Sequence, residues 1–263
     1  MVRVVFITVS FKNFDDIQNF VKSVKLNFKS FEIIVIDNYS TVDFRSKILD
    51  FCKNNNFHFI PNENNGYSNA LNLGYTYAKK NFIFDYCIFS NPDVIIKSIY
   101  LDQLDKFKIA VIGPKILAKN MRNQNPYYIK SPLIIDKIKY LWIKTDFFFF
   151  WYLAALLNKF QKFLQYFKNS EKFLKVYALH GSFLIFTKEA LKRLKVPFDD
   201  NVFLFCEEEI LALKCNLKGI DMIYCSDMII KHLEDGSTDI SFPSRKYLRQ
   251  SFLYYFKKKT SVL

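Results

Sequence analysis

The residues with chemical potential stand in short polar clusters, each directly after an apolar run. Asp37 follows Glu32-Ile-Ile-Val-Ile36 and opens the turn Asp37-Asn-Tyr-Ser-Thr41. A carboxylate at the carboxyl end of a strand can accept hydrogen bonds from a nucleoside's imide or ribose; it serves equally well as an Asx-turn or a helix cap. Asn62, Asn64, Asn65 and Gly66 precede a helix-like stretch that carries Asn69 and Asn72 on one face. Asn65-Gly66 taken alone is an ordinary turn. Asn91-Pro92-Asp93 comes after Tyr86-Cys-Ile-Phe-Ser90. It sets one carboxylate where a hard cation can bridge protein and diphosphate, or it simply forms a Pro-containing turn. Glu207-Glu208-Glu209 opens a helix after Phe203-Leu-Phe205. Acidic residues suit a first helical turn through the helix dipole, and one that faced a pocket beside apolar rings would have the raised pKa of a general base. Of the three histidines, His58 lies in an apolar strand and reads as structural, whereas His180 and His232 adjoin polar turns.

These clusters need elements that bring them together. Val4–Val9, Phe31–Ile36, Phe57–Ile60, Tyr86–Phe89 and Ile109–Ile112 are near-continuous apolar runs, which predicts strands covered on both faces. Helical patterns separate them at Asp15–Leu26, Phe44–Asn54, Ser68–Lys79 and Ser98–Lys106. Strand and helix in alternation predict an α/β fold with a mostly parallel central sheet and helices on both faces. The polar turns then gather at the carboxyl edge, where open α/β sheets bind ligands. A strand over Tyr177–Thr187, a helix over Glu207–Lys218, a strand over Met222–Cys225 and a helix over Ser244–Lys259 complete the reading.

Composition narrows the class. The chain has 263 residues, 51% hydrophobic and 24% charged, enough for one large folded domain and too apolar for disorder. Six glycines leave no room for a GxGxxG or P-loop motif. Five scattered cysteines, never spaced CxxC, predict reduced thiols, and no apolar run is long enough to span a bilayer. The first strand lacks a signal-peptide cleavage site, so a cytoplasmic protein is expected. The formal charge is +13. Eleven Lys and Arg residues in 118–176 stand against Asp136, Asp146 and Glu171, so this window supplies +8 of it. The balance suits an anionic partner or reflects a lysine-rich proteome. No nucleic-acid-binding signature accompanies it, so nucleic acid is not expected as a partner.

In combination these residues resemble the GT-A inverting glycosyltransferases of family 2, a group that includes bacterial rhamnosyl- and galactofuranosyl-transferases. The resemblance rests on Val5–Asn13, Glu32–Asn38 with Ser40, Asn64–Gly66 through Asn69 and Asn72, and Asn91–Val94. It continues in Gly181–Phe183, Phe198–Asp200, Phe203–Phe205, Glu207–Glu208, and His232 with Ser237. It implies a single GT-A domain over 1–263, with 1–117 as the nucleotide-sugar half, 118–176 as a basic aromatic helical insertion, and 177–263 as the acceptor and catalytic half. It implies that Thr8, Ser10 and Asp37 hold the nucleoside, that Asn65, Gly66, Asn72 and Asn91 line the donor pocket, that Asp93 binds Mg2+ or Mn2+, and that His232 is a further contact to the metal or the diphosphate. Glu208 takes the place of the catalytic base.

Two departures stand out: the metal motif has one carboxylate instead of Asp-x-Asp, and the base position is Glu instead of Asp. Ile210 also replaces a common acidic residue, and any member of the triplet 207–209 remains open as the base. The implied partners are a UDP- or dTDP-sugar and a glycan or lipid-linked glycan acceptor, in surface polysaccharide or lipooligosaccharide assembly. The run Phe147–Leu157, with Phe160, Phe163 and Phe167 beyond it and Lys159, Lys162 and Lys168 along its border, reads as an interfacial helix on an anionic membrane or as a core or dimer-interface helix. A sugar-phosphate nucleotidyltransferase would need a Gly-rich basic loop after the first strand, which Ser10-Phe-Lys-Asn13 does not provide. An inactive membrane-attached scaffold is the other alternative.

Overall fold

The computed structural model describes residues 3–11, 14–166, 171–233 and 242–262. Lys12, Asn13, Phe167, Lys168 and Ser237, which the sequence reading singled out, lie outside them. A nine-stranded sheet organises the chain, in the order β3-β2-β1-β4-β8-β6-β9-β5 with β7 paired to β9. The strands are β1 (Val4–Ser10), β2 (Phe31–Asn38), β3 (His58–Asn62), β4 (Tyr86–Ser90), β5 (Val94–Ser98), β6 (Ala110–Leu117), β7 (Phe173–Val176), β8 (Phe183–Thr187) and β9 (Asp221–His232). Strands β3, β2, β1 and β4 run parallel, as alternation with helices demands. Strand β8 then enters antiparallel between β4 and β6, and β9 pairs parallel with β6 and antiparallel with β5 and β7, so the sheet is mixed.

The continuous apolar runs have the cause expected of them. Along β1, Val5, Ile7 and Val9 join a core with α3 (Tyr67–Asn81), whereas Val4 and Phe6 join a core on the other face with α1 (Phe14–Asn27) and α2 (Val42–Asn54). Helices therefore cover both faces. A third apolar cluster lies apart from these two, where α4 (Leu133–Thr145) and α5 (Phe148–Tyr166) meet α7 (Glu207–Leu217) and α8 (Phe242–Thr260). The short α6 (Lys188–Leu194) adds to the first core.

Two elements differ from the expectation. The helix expected at Ser98–Lys106 is only a 3-10 turn at Leu101–Leu104, and Ser98 belongs instead to β5, where Val94 and Ile96 bury alternately against β9. The single strand expected at Tyr177–Thr187 is broken, since residues 177–182 leave the sheet between β7 and β8 and carry His180-Gly181-Ser182. All five cysteines are buried and unpaired. Among the described residues, no helix is long and apolar enough to cross a membrane.

Candidate active site

A cleft of about 1120 Å³ opens at the carboxyl ends of β1, β2 and β4. Backbone pairing assembles its floor. Asn91 N–H donates to the Ser182 carbonyl at 2.9 Å, joining the end of β4 to the start of β8. Leu233 N–H donates to the Asp93 carbonyl at 2.9 Å, and Val94 faces His232 in the ladder, so the end of β9 meets the Asn-Pro-Asp turn. Segments more than 130 positions apart in sequence thereby place Asp93 Oδ2 3.3 Å from His232 Nε2. His232 Nδ1 lies 2.9 Å from Gln124 Oε1 and donates to it, which turns Nε2 toward the carboxylate. His180 stacks edge-on to His232, with centroids 5.8 Å apart. Its Nδ1 accepts the Ser182 N–H at 3.2 Å, and burial, then the neighbouring His232 and Lys162, lower its pKa to about 3, so it stays neutral.

The acidic triplet reaches the cleft through a kinked entry to α7. Phe205 and Cys206 both adopt left-handed backbone, with φ of 71° and 64°, a conformation that costs non-glycine residues energy. The reversal points the three carboxylates in different directions. Glu208 Oε1 accepts the Gly181 N–H at 3.1 Å, and a Cβ on Gly181 would sit 2.8 Å from that oxygen, so a larger residue there would push the Glu208 carboxylate aside. Glu209 is 2% exposed and faces Lys139 Nζ at 3.2 Å and the Tyr127 hydroxyl at 3.4 Å. Burial alone would lower the Lys139 pKa, but Glu209 together with Tyr128 and Cys206 outweighs it, so the Lys139 ammonium is held well above its ordinary value and stays charged. Burial, then the charge of Glu208, raises the Glu207 carboxyl; burial, then Glu209, raises that of Glu208. Two such carboxyls side by side cannot both ionise cheaply. Glu207 is pushed up the further of the two and holds the proton, while the Gly181 N–H favours the Glu208 anion.

The residues marked in the sequence divide into two groups. Asn91, Asp93, Glu208 and His232 line the cleft, and Asn91 Oδ1 accepts the Tyr67 hydroxyl at 2.6 Å. Thr8, Ser10, Asp37, Asn65, Gly66 and Asn72 do not line it; their neighbours Val9, Phe11, Asn38, Asn64 and Tyr67 do. Asp37 is fully buried, with Oδ2 2.7 Å from Arg45 Nε and Oδ1 accepting the Ser40 N–H at 3.3 Å, the turn-closing arrangement. Asn72 uses its whole amide on the 198–200 loop: it donates to the Phe198 carbonyl and to Asp200, and it accepts the Phe198 N–H. Gly66, at φ 103°, packs against the Phe203 backbone, where a Cβ would meet the carbonyl oxygen at 2.8 Å. Thr8 is buried, and its hydroxyl has no partner among the described residues.

Tyr67, Tyr127, Lys139, Trp142 and Trp151 also line the cleft, although no local motif marked them. The basic window also differs from expectation, since Lys139 is buried against Glu209 and Lys162 turns inward to the Gln124 carbonyl.

A hard divalent cation fits this chemistry. One carboxylate and one imidazole nitrogen converge at Asp93 and His232, leaving further positions to diphosphate oxygens and water. Among the described residues no third His, Cys, Asp or Glu ligand joins them.

The layout defines the GT-A class, a mixed sheet with a ligand cleft at its carboxyl edge and an Asn-Pro-Asp turn at the centre. The sequence profile Glycosyl transferase family 2 matches residues 5–195, and the chain belongs to that family. No curated protein matches the chain. Among solved structures it is similar to S. aureus TarS, at 15% identity over 88% of this chain and 37% of that one, with a TM-score of 0.59. It is also similar to S. aureus TarS 1-349 in complex with UDP-GlcNAc, at 14% identity over 92% of this chain and 61% of that one, with a TM-score of 0.60. The match to GalNAc-T7 with UDP, GalNAc and Mn2+ is at 11% identity over 98% and 48%, with a TM-score of 0.65. The chain therefore spans 37% to 61% of the length of these solved proteins.

Proposed function

We propose that the protein is an inverting glycosyltransferase that moves a sugar from a UDP- or dTDP-sugar to a hydroxyl of a glycan or lipid-linked glycan acceptor. The observation that carries this reading is the single cleft in which Asp93 and His232 face each other and Glu207 and Glu208 also stand. Asp93 and His232 would hold Mg2+ or Mn2+ on the donor diphosphate. Such a cation supplies positive charge against the departing phosphate. Glu208 takes the proton from the acceptor hydroxyl, whose oxygen bonds to the anomeric carbon on the face opposite the breaking bond to phosphate; one displacement inverts the configuration. The relatives crystallised with UDP-GlcNAc or with UDP and Mn2+ support this donor and metal class. Thermal stabilisation by UDP, dTDP, GDP and CDP with Mn2+, followed by turnover of the matching sugar nucleotides, tests it. No stabilisation by any of the four and no sugar released would refute it.

The same reading places the enzyme on the cytoplasmic face of an anionic membrane, in surface polysaccharide or lipooligosaccharide assembly. Phe149, Tyr152, Leu156, Phe160 and Phe163 of α5 are each more than half exposed and fall on one helical face, with exposed Lys159 beside them. Trp151 and Ala154 turn the other way, into the body. Flotation with anionic liposomes that is lost when Phe149, Tyr152, Leu156 and Phe160 become serine supports this contact, and equal flotation of both proteins refutes it.

A further inference from the structure

One end of the cleft has a chemistry that differs from the metal and carboxylate end. It is walled by Trp142 of α4, Trp151 of α5, and Leu248 and Phe252 of α8, with Lys139 and Glu209 beneath. The two indoles pack with centroids 4.8 Å apart at 52°. Lys139 Nζ stands 5.8 Å from the Trp151 ring and 5.7 Å from the Phe252 ring. An apolar wall of this kind usually holds no unsatisfied polar atoms, yet this one holds two. Trp142 is 2% exposed, and its Nε1–H has no partner among the described residues; Glu209 is equally buried, and its Oε2 has none. Buried donors and acceptors are rarely left unpaired without a reason. Both atoms belong to residues that line the cleft.

An aromatic face, an indole N–H and a carboxylate oxygen together match a pyranose ring. Its axial C–H face is apolar and lies flat on an aromatic ring, while its hydroxyls both donate and accept. An alkyl chain would use the rings and leave the N–H and the carboxylate unsatisfied, which disfavours a lipid occupant. We propose that Trp142, Trp151, Phe252 and Glu209 form the acceptor subsite and take the terminal pyranose of a glycan. Both unpaired atoms are covered, so side chains of the wall shift for one hydroxyl to reach Trp142 Nε1 and another to reach Glu209 Oε2. Glu208, the preceding residue of the same helix, lines the same cleft. The assignment rests on the glycosyltransferase reading above and adds to it the acceptor class and the residues that select it.

The test uses a property of the chain itself: Trp142 and Trp151 are its only tryptophans, so indole emission reports on this subsite alone. The full chain, with UDP and Mn2+ present, is titrated with the methyl glycosides of glucose, galactose, N-acetylglucosamine and rhamnose. At least one is expected to change indole emission saturably and to show saturation transfer from the protein to its ring C–H protons in NMR. Trp151→Leu should weaken that glycoside by about tenfold or more, and Trp142→Phe, which keeps a ring and removes only the N–H, by about fivefold, both with UDP affinity retained. If Trp151→Leu does not fold, Trp142→Phe with NMR detection decides alone. UDP binding with no response to any glycoside would overturn the subsite and leave the donor reading intact. A response to decanol and to no sugar would overturn it in favour of a lipid. If UDP does not bind, the titration is run with whichever of dTDP, GDP or CDP does, and failure of all four to bind would remove the proposed function and the subsite with it.

Discussion

Replacing Glu207 by glutamine measures the crowding of carboxylates at the cleft. Burial and the charge of Glu208 raise the Glu207 carboxyl above its ordinary 4.5. Between that value and the raised one, the folded chain holds a proton that the unfolded chain has already released, so the wild type loses stability as pH rises through this window. Glutamine resembles the neutral acid and does not titrate. Each unit of elevation corresponds to about 1.4 kcal/mol, so a shift of even one unit makes Glu207→Gln more stable by at least about that much above the window. For a chain of this size that is about 3 to 6 °C in Tm. The melting difference between variant and wild type should be near zero at about pH 4, rise with pH, and level off above the raised value. Thermal melts across a pH series, with the protein free of nucleotide, provide the measurement. A difference that stays flat with pH, or a variant that is less stable in alkaline buffer, would refute the assignment of Glu207 as the proton-holding member of the pair.

Three further outcomes follow from the site and its supports. Glu208→Gln keeps size and hydrogen bonding but cannot accept a proton, so turnover should fall about 10²- to 10⁴-fold with UDP affinity unchanged; if Glu207→Gln or Glu209→Gln is the damaging change instead, a different member of the triplet is the base. Asp93→Ala should remove divalent-dependent donor turnover with little change in Tm, and full activity of the wild type in EDTA would count against a metal at Asp93. Lys259→Met leaves Asp136 buried without its cation, since Lys259 Nζ lies 2.6 Å from Asp136 Oδ2 and the Tyr255 hydroxyl donates to the same oxygen; denaturant unfolding should show a loss of about 3 to 5 kcal/mol.

Much of the sheet was legible because both of its faces are covered. The runs at β1, β2 and β4 carry no alternation, and burial on two sides is the physical cause. Where only one parity is buried, as in Val94 and Ile96 of β5, the run is short and was not legible as a strand. The polar turns also gave away the cleft, but not which of their side chains face it. Asp37 and Asn38 are adjacent on one strand, so their side chains point to opposite sides, and the inward one closes a turn with Arg45 while its neighbour lines the cleft. A single sequence cannot separate the two parities when both residues are polar.

The kinds of chemistry were therefore determined by the sequence alone: a carboxylate in an Asn-Pro-Asp turn, a late histidine, an acidic triplet, and a basic aromatic segment over 118–176. Only the tertiary structure decided how they combine. His232 reaches Asp93 because β9 pairs with β5, and Glu208 meets Gly181 because β8 enters beside β4. Glu209 pairs with Lys139, a lysine 70 positions earlier in the chain, on a helix that no sequence pattern tied to the acidic triplet. The helices α4 and α5 likewise divide between a buried face that carries both tryptophans and an exposed aromatic face on α5. Local patterning records the preferences of neighbours in sequence, whereas these contacts join segments whose proximity exists only once the strands have paired.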